Sequence, residues 1–175
     1  MTPAEIADEI SWARDDFRRL VDNATTAELR KRSSGTKWTN DQLLFHMLFG
    51  YMIVRVLLWL VKGFSRLPRT YSRRFAQGLN AASRPFHVIN YLGSLGGARV
   101  MGHSGMERVM DRVTNRLIRT LDVAGDKQLQ RAMHFPVDWD PYFRDFMTVQ
   151  DVLHYGTEHY QHHRRQLTLS NARSD

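Results

Sequence analysis

The sequence contains no cysteine. Disulfides and thiolate metal sites are therefore excluded, and any intrinsic metal site must draw on His, Asp or Glu. Thiol chemistry would require a thiol brought in as substrate or cofactor. Lysine is scarce as well: 21 of the 25 basic residues are arginine, so guanidinium groups carry most of the net charge of +7. A basic-then-apolar leader is also missing, because "MTPAEIADEISWARDD" opens polar and acidic, and the cytoplasm is the expected compartment. No strand ladder, internal repeat or low-complexity segment is evident.

What is present suits one helical domain over residues 1–175, with 42% hydrophobic residues to supply a core. Ile6, Ile10, Ala13, Phe17, Leu20 and Val21 fall at helical spacing, so residues 3–23 read as an amphipathic helix with Pro3 in its first turn. "SSGTKW" (33–38) reads as a loop. Thr39 with Gln42 three residues on forms a capping box that opens a second helix to about Lys62, broken by "GFSRLP". Within that helix, "LLFHMLFGYMIVRVLLWLV" is long enough to span a membrane, but it carries His46 and Arg55, and a buried core helix is the expectation. Residues 69–100, with Pro85 and the glycines of "GSLGGARVMGHSG", predict a long crossover containing one or two short helices. Met106, Val109, Met110, Val113, Leu117 and Leu121 mark a third long helix ending near Gly125. "MHFPVDWDPYFRDFM" (133–147) reads as an ordered loop. Thr148 with Asp151 then caps a fourth helix to about Ser170. These elements predict an all-α, four-helix bundle with a long crossover between the second and third helices.

The arginines are dispersed. Their densest cluster, "SRLPRTYSRR" (65–74), has no base-reading motif beside it, so specific nucleic-acid binding is not expected. An anionic-surface binder using that cluster and Arg164–Arg165 is the alternative.

The histidines are not dispersed. "HYQHHRRQ" places His159, His162 and His163 together. Positions four apart on a helix lie about 40° apart on one face and are separated by roughly 6 Å of rise. His159 and His163 share their face with Val152, Tyr155, Gly156 and Gln166, which should turn it inward. His162 lies about 60° to one side and His154 about 140° away, which makes them a flank and a surface residue. An i, i+4 histidine pair leaves a divalent ion under-coordinated, so a third ligand must come from elsewhere. His46 is the candidate, on the face of Leu43, Gly50, Ile53 and Leu57, with Gly50 leaving room beside it; a hydrogen-bonded core histidine is the alternative reading. His162 is the rival within the last helix.

At these residues the chain resembles the DinB/YfiT-like family. The likeness lies in "KWTNDQLLFHM" (37–47), in "DVLHYGTEHYQHHRRQL" (151–167), and in the long gap between them. It implies a four-helix bundle, often a homodimer, whose three histidines would be the metal ligands His46, His159 and His163. Zinc and nickel are the candidate ions. Similar relatives include thiol-dependent transferases and isomerases that use mycothiol or bacillithiol, while many members have no known activity. The resemblance thus implies a metal-dependent S-transferase acting on a small molecule with a low-molecular-weight thiol. A non-catalytic metal-binding stress-response protein and a metal-dependent hydrolase are the alternatives. Trp38, Trp139, Tyr142 and Phe143 could roof a pocket over the site, and Gln166, Glu158 and Asp41 could orient the ligands.

Overall fold

The structure is a computed structural model in which residues 1–172 are described. Its elements are α1 (Pro3–Asp22), α2 (Thr26–Arg30), α3 (Asn40–Phe64), α4 (Arg69–Ala81), α5 (Ser83–Met101), α6 (His103–Val123), α7 (Asp126–Leu129), β1 (Ala132–His134), β2 (Phe146–Thr148) and α8 (Val149–Arg164), followed by a 3-10 turn at Ser170–Ala172. The chain is all-α apart from the small β1–β2 pair. The four expected long helices are α1, α3, α6 and α8. They close a ring in which α1 packs on α6, α6 on α3, α3 on α8 and α8 back on α1.

Local chemistry fixes where these helices start. Thr2 with Glu5, Thr39 with Gln42 and Thr148 with Asp151 each form a complete capping box, in which the threonine oxygen accepts from the third amide and the longer side chain takes the cap amide. The buried faces follow the periodicity: Ile6, Ile10, Ala13 and Phe17 of α1 meet Met106, Met110, Val113 and Leu117 of α6 in one core. Each large aliphatic side chain buried there contributes about 1.5–3 kcal/mol. α3 is the one described helix long and apolar enough to cross a membrane, and half of its most apolar stretch is buried inside the fold.

Three boundaries differ from expectation, each for a physical reason. The crossover is helical almost throughout rather than a loop with short helices, and α5 alone runs 19 residues. Pro85 sits in its first turn, where proline loses no helical hydrogen bond. Gly97 is required there, because a Cβ would overlap the Phe45 ring. α5 therefore lies directly on α3, and the positive φ of Gly102 (63°) ends it.

The last helix ends at Arg164, not near Ser170. Beyond it the chain is drawn off by tertiary hydrogen bonds: Ser34 N donates to Gln166 O (2.7 Å) and Thr168 N to Asn40 Oδ1 (3.0 Å). Finally, the segment expected as a loop is flanked by β1 and β2, three residues each, paired antiparallel with Met133 opposite Met147. Strands that short carry too few alternations to be legible.

Candidate metal centre

α3 and α8 pack along each other, and their inward faces bring His46, His159 and His163 together. One ring nitrogen from each lies within 4.8 Å of the other two. The ring centroids are 5.0 Å apart for His46–His159, and 4.6 Å for both His46–His163 and His159–His163. Close approach of the two helices depends on Gly50, where a Cβ would overlap the His159 imidazole.

Neighbouring polar groups select the tautomers. The Ser94 hydroxyl gives its single proton to Asn90 O (2.9 Å), so its 3.3 Å contact with His46 Nδ1 requires that nitrogen to donate. His46 Nε2 then presents a lone pair. Gln166 Oε1 accepts from His163 Nδ1 at 2.7 Å, which leaves His163 Nε2 equally free. A metal-ligating histidine is commonly held in this way, donating through one nitrogen while the other ligates. His159 differs. Its Nδ1 is buried with no hydrogen-bond partner, and its Nε2 stands 3.8 Å from Asp140 Oδ2.

Burial keeps all three imidazoles neutral. It lowers His46 to about 3 and His163 to about 4, with the neighbouring histidines adding to the shift and the Gln166 hydrogen bond opposing it at His163. His159 is held well below the ordinary range, by burial first and by His46 and His163 next. Across the site, burial raises the Asp140 carboxyl against the hydrogen bonds from Tyr142 N and Tyr155 Oη.

Trp38 stacks on His46 with ring centroids 4.4 Å apart and meets His163 edge-on at 6.2 Å. A cavity of about 210 Å³ opens on His46 and His159, walled by Phe49, Ile53, Phe86, Trp139 and Phe143, with Asp140 and Asn90 among its few polar groups. The only buried side-chain nitrogen or oxygen atoms without a hydrogen-bond partner among the described residues are Trp38 Nε1, Asn90 Oδ1 and His159 Nδ1. Asn90 and His159 line this cavity, whereas Trp38 stacks on His46 without lining it.

The other sequence candidates separate cleanly. His162 stays outside the triad, with its Nδ1 3.2 Å from Tyr142 Oη. His154 bonds Glu9 (2.9 Å), and His87 is exposed on α5. Of the proposed orienting groups only Gln166 reaches a histidine of the triad. Glu158 leans toward His154 (3.7 Å) and Asp41 bonds His103 (3.0 Å). Trp139 and Phe143 do wall the cavity, whereas Tyr142 is taken by His162. Arg164 is not a solvated cation: it points away from the triad and pairs with buried Asp16. Ser94 and Asp140 were not anticipated, because neither the crossover nor the 133–147 segment has a periodicity that predicts where a side chain points.

This constellation is a possible metal site: neutral imidazoles with free lone pairs, an orphaned third nitrogen, and a cavity on one side. A sequence model of the DinB superfamily matches residues 9–167. No curated protein and no solved structure matches the chain.

Proposed function

The chain belongs to the DinB superfamily, and from that premise we propose that it is a metal-dependent enzyme in which His46, His159 and His163 hold a divalent ion, and that it transfers a low-molecular-weight thiol to an apolar electrophile. The observation that carries this reading is the meeting of three buried imidazoles, one ring nitrogen from each within 4.8 Å of the others, beside a cavity lined by two residues with unpartnered buried polar atoms, His159 and Asn90. Such atoms are each destabilising by about 1–3 kcal/mol and persist where a ligand completes them. When bound, a divalent ion on three neutral ligands keeps its full 2+ charge and acts as a Lewis acid that favours loss of a proton from a thiol or water.

The residues then divide the work. Ser94 and Gln166 fix the His46 and His163 rings through their Nδ1–H groups. Trp38, stacked on His46, closes one side against water. The apolar wall of Phe49, Ile53, Phe86 and Phe143 selects an uncharged, hydrophobic reactant. Asn90 Oδ1 offers that reactant one hydrogen-bond acceptor. Asp140, with its carboxyl pKa raised and beside His159, is the protein group placed to accept the thiol proton. In the reaction the S–H bond is broken, the proton leaves, and the sulfur lone pair forms an S–C bond as the leaving group departs with its electron pair.

The test compares metal-loaded and chelated protein in conjugating an uncharged aryl electrophile to mycothiol, bacillithiol and glutathione. Acceleration of at least one by the loaded form only is expected. Loaded protein that accelerates none of them removes the transferase reading; loaded protein that instead hydrolyses uncharged esters or amides would make a hydrolase of it.

A further inference from the structure

A second cavity, about 380 Å³, lies on a different face of α3 and shares no residue with the histidine cavity. It begins at Arg55, about 14 Å of helical rise beyond His46. Four cations converge on it: Arg55, Lys62, Arg116 and Arg131. No carboxylate lines it, and among the described residues none of the four has an ion-pair partner. Arg55 and Arg131 are half-buried, so their side chains are held at the cavity, and no carboxylate neutralises them there. Arginines elsewhere in the fold, such as Arg18 with Asp111 (2.8 Å) and Arg144 with Asp151 (2.7 Å), do pair with carboxylates. The remaining walls are apolar. Trp59 is 69% exposed at the mouth, with Lys62 Nζ 5.3 Å from its ring centroid, and Leu117 is part of the lining.

Like charges gathered around one concavity repel one another, and an anion relieves that repulsion while satisfying the donors. Guanidinium forks match phosphate oxygens two at a time. Lys62 covers one face of the exposed Trp59 indole, and the other face suits a flat ring. The volume lies in the range of about 300–1,000 Å³ typical of small-molecule sites, and the four cations line one concavity instead of forming a stripe along which a nucleic-acid backbone could run. We infer that this cavity is a second ligand site, for a small phosphorylated molecule with an aromatic body, of the nucleoside diphosphate class. It is independent of the metal site and of the reaction proposed there.

Calorimetric titration of ADP and of inorganic pyrophosphate into the full chain, with chelator present, tests this. Saturable one-to-one binding of ADP is expected, weakened at least ten-fold in Arg55→Gln/Arg131→Gln and several-fold in Trp59→Ala, and unchanged in His159→Ala. Pyrophosphate should bind more weakly than ADP because it offers nothing to Trp59. Thermal unfolding checks that the double variant folds; if it does not, Arg116→Glu at an exposed position must produce the same loss. Absence of saturable ADP binding, or equal affinity in the cavity variants, overturns the proposal. So does binding of a DNA duplex that is weakened as much by Arg73→Gln/Arg74→Gln as by the cavity variants, since that marks a diffuse surface charge.

Discussion

Two polar clusters sit on α8 within one turn of each other and face different neighbouring helices. Toward α1, Asp16 is buried and saturated: it accepts from Tyr160 Oη (2.8 Å), Arg164 Nε (2.8 Å) and Arg19 (2.6 Å). Toward α3, His159 and His163 meet His46 with two free lone pairs and a His159 Nδ1 that nothing satisfies. Adjacent residues, 159 with 160 and 163 with 164, thus enter environments of opposite kind. A closed network of buried charge and hydroxyl fixes how two helices pack. An open one of neutral lone pairs beside a cavity is incomplete without a ligand. Burial alone does not distinguish them; satisfaction does.

The largest effect should come from opening the closed cluster. Asp16→Ala removes the buried carboxylate that accepts from both Tyr160 and Arg164 and should cost about 3–5 kcal/mol in urea unfolding, with or without metal. A neutral result would erase the contrast.

Next, an excess of zinc or nickel at about 100 times its dissociation constant should stabilise the wild type by about 2.7 kcal/mol. That gain should survive in His154→Ala and His87→Ala and vanish in His159→Ala, where thermal shift with and without chelator reads the difference.

A smaller effect separates two glycines of α3. Gly50→Ala drives a methyl into the His159 ring, should cost about 1–3 kcal/mol, and should weaken metal binding. Gly63→Ala meets nothing within 4 Å and should be neutral or stabilising by up to about 1 kcal/mol.

A further effect is graded with pH. Imidazoles whose folded pKa lies below the ordinary 6.5 contribute stability that is present above pH 6.5 and lost as pH falls toward the folded value. Metal-free protein should therefore lose urea resistance from pH 6.5 toward about 4, where His163 protonates, and on toward about 3, where His46 follows. A flat profile between pH 7 and 4 would count against burial of three neutral rings.

Much of this contrast was legible in sequence. Capping boxes and 3.6-residue spacing placed His46, His159 and His163 on inward faces, because both signals are local to one helix. The all-α bundle followed from the same signals. What escaped was non-local. Ser94 reaches His46 only because Gly97 lets α5 lie against Phe45, and three glycines with a proline disguised that helix. Asp140 reaches the site from an irregular segment, where no period assigns direction. Arg164 looked like part of a charged face because its partner, Asp16, lies 148 residues away.

The most direct test of the central claim is elemental analysis of protein purified without a histidine tag. One divalent ion per chain is predicted for the wild type and for His162→Ala, and none for His46→Ala, His159→Ala or His163→Ala. Full occupancy in any of those three, or loss of metal in His162→Ala alone, would contradict the assignment of the triad.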